Sequence, residues 1–203
     1  MSIVAGKKVA YQQGKVEVKQ SIRSVGIIGT RTLGFHHAEK VGLVTEDLLG
    51  RGYHIASGGA IGTDQFVIDR LLDLGRSHEG TVYAAWKHYP GFPIKVRALV
   101  REFKEKGGSI IWGQAEGKEP AFVLKTAYLS RNERLVEACY GLVAFINGDS
   151  RGSIYTIKKA AKRHLPLVVF PIACHLPEIT SVKWVPLRCG GCWEGAFKAA
   201  YLR

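Results

Sequence analysis

Long apolar runs are missing from this chain: none approaches the ~20 residues of a membrane-spanning helix. The opening stretch, MSIVAGKKVAYQQGKVEVKQ, has no apolar block of the kind that marks a signal peptide, so a cytoplasmic protein with no membrane partner is expected. Cysteine is scarce: Cys139, Cys174, Cys189 and Cys192 are the whole supply, with one C-x-x-C and no second matching pair. Zinc would want ligands such as Cys174, His175, Cys189 and Cys192, but unmatched spacing favours reduced thiols or a local disulfide at Cys189 and Cys192. Cys139 closes a helical pattern and reads as a small core residue. Neither a metal nor another cofactor is expected. H-E-x-x-H, G-x-S-x-G and a Walker-type G-K-S/T are all absent, and His36, His37 and His54 have no spaced partners.

Acidic residues are also in deficit. Asp and Glu number 17 against 29 Lys and Arg, a formal charge of +12 with a sequence pI near 9.7. Such an excess fits a polyanionic partner, nucleic acid or a phosphorylated ligand, or else a basic surface kept for solubility. Hydrophobic residues make up 46% of the 203, enough for a real core in one domain of ordinary size.

Residues 1–23 stand apart as a basic arm or hairpin, because VAYQQGKVEV alternates apolar and polar residues around Gln13-Gly14. From Ser24 onward, apolar strands alternate with amphipathic helices. Strands are expected at SVGIIGT, YHIAS, GTVYAAW, GGSIIWG, GLVAFI and LPLVVFPI. Helices fall between them, one placing Val41, Val44 and Leu48 on a single face and stopping at Gly50 and Gly52, another running from Ala121 to Cys139 behind Pro120. This alternation predicts an α/β fold, doubly wound and Rossmann-like, with a mainly parallel sheet covered by helices on both faces over residues 24–172. Residues 173–203 read as an irregular tail packed on the same domain, closing in a short helix, WEGAFKAAYLR.

In such a sheet, ligands bind beyond the C-terminal ends of the strands. Three loops there are rich in glycine, hydroxyls and arginine: Gly29-Thr30-Arg31, then Ser57-Gly58-Gly59 with Gly62 and Asp64, then Arg151-Gly152-Ser153 with Thr156. Each would offer an anion free backbone N–H groups and the positive end of a helix dipole. The Gly58-Gly59 turn is expected to lie outside the core. Arg131 and Arg134, three apart, can share one side of a helix beside Asn132, either as a solvated face or as phosphate ligands. Asp64 can cap its helix, take a ribose hydroxyl or orient an arginine. Trp86, Tyr89 and Phe92 can stack on bases or pack in the core.

With these residues assembled, the chain resembles the superfamily of Rossmann-like proteins that includes the DNA-processing protein DprA (Smf) and the LOG phosphoribohydrolases. GIIGTR, SGGAIGTD, and RNERLVEACYGLVAFI followed by SRGSIYT are similar to its motifs, in its order, over Ser24 to Pro171. An arginine usual in the DprA glycine loop is Ile61 here. The R-N-R motif reads Arg131-Asn132-Glu133, with Arg134 restoring R-N-x-R, a pattern shared with YspA-like proteins. The resemblance implies single-stranded DNA binding in DNA processing or recombination, and a homodimer. The alternative is a protein that binds or senses a small nucleotide, or a LOG-like hydrolase of nucleoside monophosphates. For that hydrolase the expected glutamate falls on Lys159, so a non-enzymatic role is favoured.

Overall fold

The computed structural model describes residues 23–148 and 150–202. The expected N-terminal arm therefore lies, but for Arg23, outside the described residues, as does Asp149, two residues before the Arg151-Gly152-Ser153 loop.

Among the described residues, six parallel strands alternate with five α-helices. They are β1 (Ser24–Gly29), α1 (Phe35–Gly50), β2 (His54–Ser57), α2 (Thr63–Asp73), β3 (Gly80–Tyr83), α3 (Ile94–Glu105), β4 (Ser109–Ile111), α4 (Ala121–Ala138), β5 (Gly141–Asn147), α5 (Arg151–Lys162) and β6 (Leu167–Ile172). Two further strands, β7 (Val182–Pro186) and β8 (Phe197–Tyr201), extend the same sheet. Its order is β4-β3-β2-β1-β5-β6-β8-β7, parallel from β4 to β6 and antiparallel thereafter.

The central strands are apolar throughout because helices cover both faces. In β5 every residue from Gly141 to Ile146 is buried. Two hydrophobic clusters follow. One joins Ile27, Val82 and Phe145 to the inner faces of α1, α2 and α3; the other joins Ile28, Ala144 and Val169 to α4 and α5. Val41, Val44 and Leu48 face the first cluster as their spacing predicts, and α1 is followed by Gly52 at φ +79°. Cys139 is buried in the second.

The C-terminal segment departs from expectation. The helix predicted over WEGAFKAAYLR does not form, because Phe197–Tyr201 is strand β8, paired with β6 and β7. The parallel strand β5 pairs with only one edge of β6, and on the other edge a strand satisfies the open backbone groups where a helix would not. Between β7 and β8 a loop crosses the face beside α1, and Trp193 fills it, stacking near Phe170 and donating its indole N–H to Asp47 Oδ2 at 2.9 Å.

Candidate anion-binding site at the strand-order switch

Strand order reverses between β1 and β5: the chain winds from β1 out to β4, then returns to β5 on the other side. Loops leaving two such strands diverge and leave a crevice, the usual ligand position in open parallel sheets. A cleft of about 440 Å³ opens there. The β1 loop (Gly29 to Thr32) forms one wall, Asn147 and the start of α5 another, and the α4 side chains Tyr128, Arg131 and Asn132 a third, with Ala60 and Asp64 at its base.

Each wall has a local cause. Gly29 has no space for a side chain, since a Cβ would run into Phe145 O and Thr63 Oγ1. This closeness lets Thr30 N bond Phe145 O at 2.8 Å and Thr63 N and Oγ1 both bond Thr30 O at 3.1 Å, tying the β1 loop to β5 and to α2. Gly62, at φ +87°, makes the turn into α2, and a Cβ there would sit 2.5 Å from Thr30 O. Ser150 precedes α5 without capping it; its hydroxyl donates to Asn147 O at 2.9 Å. The first N–H groups of α5 have no acceptor within their own helix, and they open on the cleft beside Arg151, Gly152 and Ser153.

A buried ion pair forms the floor. Asp64 is 5% exposed and Arg131 7%. Asp64 Oδ2 accepts from Ala60 N at 3.1 Å and lies 3.4 Å from Arg131 Nη1, which also donates to Gly58 O. Burial pushes the Asp64 carboxyl up and the Arg131 guanidinium down, and each is the strongest electrostatic relief of the other. Of the three roles open to Asp64, orienting an arginine is the one its contacts match; it makes no cap bond to α2. Among the described residues the Nε of Arg131 is buried with no hydrogen-bond partner.

The remaining residues sort clearly. Arg31 and Arg151 are exposed at the rim, Arg31 with its guanidinium 5.6 Å from the Tyr128 ring centre. Asn132 lines the cleft, its amide 3.5 Å from Gly152 O, and Thr156 bonds Gly152 O at 2.8 Å. Ser57 is a structural tie, donating to Ile27 O at 3.1 Å. Gly58 and Gly59 border a smaller adjoining pocket with Trp86 and Arg131.

Several residues fall elsewhere than their spacing implies. Arg134 does not join Arg131 on one basic face: it reaches across to Trp112 O at 3.0 Å and Ala84 O at 2.6 Å, binding the ends of β3 and β4 together. Trp86 is 6% exposed, with Gly91 over its ring and Tyr128 at its edge, so its face is not open to a base. Phe92 is wholly buried, and Tyr89 is edge-on to Trp112 with Arg101 over it. Nor does the Gly58-Gly59 turn lie outside the core. A Cβ on Gly59, at φ +68°, would meet Phe92 Cε1 at 2.7 Å, and one on Gly58 would overlap the Arg131 guanidinium. Lys159 pairs with Glu133 at 2.5 Å. Cys174 bonds Ile146 O at 3.3 Å, and no group of three metal-ligating side chains forms among the described residues. Tyr128, missed by the sequence reading, stands three residues before Arg131 on the same α4 face, and that spacing was the available signal.

A doubly wound α/β fold with an arginine-lined cleft at its switch point places the chain in the class of Rossmann-like proteins. Within that class the chain belongs to the DNA recombination-mediator protein A family, whose model matches residues 3–184. Among solved structures it is similar to DNA processing protein A of Helicobacter pylori, described for its single-stranded DNA binding mode (23% identity, TM-score 0.59, covering 77% of this chain and 67% of that one). It is also similar to DNA processing protein A (DprA) of Streptococcus pneumoniae (22% identity, TM-score 0.59, 76% of this chain). The chain spans 52% of that second structure. The structural-genomics protein TM1055 shares the fold at 13% identity and a TM-score of 0.50, with 72% of each chain covered. No curated protein matches the chain. Among the described residues no helix is long and apolar enough to cross a membrane.

Proposed function

We propose that the cleft binds the sugar-phosphate backbone of single-stranded DNA and that the protein acts, without catalysing a reaction, in DNA processing or recombination. One observation carries this reading: the Arg131 guanidinium, held in place by Asp64, lines the same cleft as the first turn of α5. A fixed guanidinium and a helix N-terminus together suit a phosphate oxygen. Arg31 and Arg151 add two exposed cations at the rim, and the net charge of +12 favours a polyanion over a neutral ligand. The relative from Helicobacter pylori, described for its single-stranded DNA binding mode, supports the choice of polymer. A homodimer is proposed from family membership alone.

A second reading rests on size, since a cleft of about 440 Å³ is ample for one nucleotide. Titration of labelled oligo-dT, duplex DNA and mononucleotides at two salt concentrations separates the two. Single strands should bind with an affinity that falls steeply with salt, by roughly 0.7 in log-log slope per phosphate neutralised. Replacing Arg31 and Arg151 by alanine should lower that slope by about 1.4, equally for oligonucleotides of any base composition. From 50 to 200 mM salt the double variant should then lose about sevenfold less affinity than the parent. An unchanged slope would remove both arginines from the DNA. Saturable mononucleotide binding without oligonucleotide binding would favour the second reading.

A further inference from the structure

The C-G-G-C turn plays no part in the cleft. Cys189 is exposed and Cys192 half-buried, and both line or adjoin an apolar hollow of about 240 Å³ whose walls include Tyr53, Tyr140, Leu187 and Trp193. Between them, Gly190 is extended and Gly191 lies at φ +69°, and nothing stands within 4 Å of where either Cβ would be. The link between the two thiols is thus as pliable as a chain can be and is not held by packing. The Arg51 guanidinium lies within electrostatic reach of both sulfurs. The other cysteines are out of play: Cys139 is buried in the opposite cluster and Cys174 is bonded to Ile146 O.

We propose that Cys189 and Cys192 are a redox-responsive dithiol that closes to an intrachain disulfide by exchange with a low-molecular-weight disulfide such as oxidised glutathione. Cys189, the exposed thiol, reacts first: its thiolate attacks one sulfur of the small disulfide, forming a mixed disulfide and expelling one thiolate. The Cys192 thiolate then attacks Cys189 Sγ, closing the ring and expelling the second. The dithiol is oxidised, the small disulfide is reduced to two thiols, and the two protein protons leave with them. Burial and the nearby Asp47 carboxylate hold the Cys192 thiol above its ordinary pKa, which makes the second attack the slower one. Closure turns the Cys192 sulfur from its packing against the core toward Cys189, beside Trp193, the residue that seats the β7–β8 loop on α1. Oxidation therefore acts on the anchoring of the sheet's C-terminal edge.

The full chain should be equilibrated in reduced and oxidised glutathione mixtures, quenched with acid and mapped by mass spectrometry. The expected product is a Cys189–Cys192 disulfide, lighter by two hydrogens and free of glutathione, formed reversibly. Cys192→Ser should instead retain one glutathione on Cys189, and Cys189→Ser should react far more slowly at Cys192. Wild-type protein that keeps glutathione on Cys189, links two chains through it, or stays fully reduced would overturn the proposal.

Discussion

A single methyl group added at Gly58 should dismantle the floor of the cleft. The Cβ of Gly58→Ala would occupy the position of the Arg131 guanidinium and stand 2.7 Å from Asp64 Oδ2. Backbone and Arg131 cannot both stay. The φ of Gly58 is not in the left-handed region, so alanine itself is no strain there and the cost falls on the ion pair. If the guanidinium withdraws, it loses Gly58 O and leaves Asp64 as a buried carboxylate without its counter-charge, which costs about 3–5 kcal/mol. With a urea m value of ~2–3 kcal/mol/M, the unfolding midpoint should fall by roughly 1–2.5 M. Gly50→Ala is the control, the same change at the end of α1 with nothing within 4 Å; it should be neutral or stabilising by up to about 1 kcal/mol. A double-mutant cycle isolates the cause. Arg131→Ala alone should destabilise by about 3–5 kcal/mol, and adding Gly58→Ala should cost little more, a coupling of about 3 kcal/mol. The reasoning fails if Gly58→Ala costs under about 1 kcal/mol, or if the two losses simply add.

Arg134→Ala removes two charge-assisted hydrogen bonds to Trp112 O and Ala84 O, so urea melts should show a loss of about 3 kcal/mol or more while the salt slope of DNA binding stays at the parental value. His54, half-buried with its ring nitrogen 2.8 Å from Thr81 Oγ1, is held below its ordinary pKa chiefly by burial. The unfolded chain therefore takes up that proton first, so this contribution to stability is present above about pH 6.5 and lost as pH falls through that value toward the folded pKa. Thermal melts from pH 7.5 to 5 should accordingly decline more steeply for the parent than for His54→Gln, and parallel curves would contradict this. Burial pushes the Cys139 thiol up to about 12. At pH 8 an alkylating reagent should modify Cys189 readily and Cys139 only as fast as the chain unfolds, as peptide mapping over time would reveal.

The alternation of strand and helix from Ser24 to Ile172 was legible because each element carries its own period. Continuous apolar runs mark doubly covered strands, and the spacing of Val41, Val44 and Leu48 marks one helical face. The three loops of the cleft were legible for a related reason: parallel strands all deliver their C-terminal ends to one edge, so chain order alone brings them together. Tertiary packing decided the rest. Arg131 and Arg134 have equal claims by spacing, yet one lies under the cleft against Asp64 and the other ties β3 to β4, because their partners are carbonyls and a carboxylate from distant strands. Trp86 reads equally well as a stacking surface or as core until Gly91 and Tyr128 are seen against it. The last segment, amphipathic enough for a helix, becomes β8 because the open edge of β6 needs a partner, and no local pattern records that need.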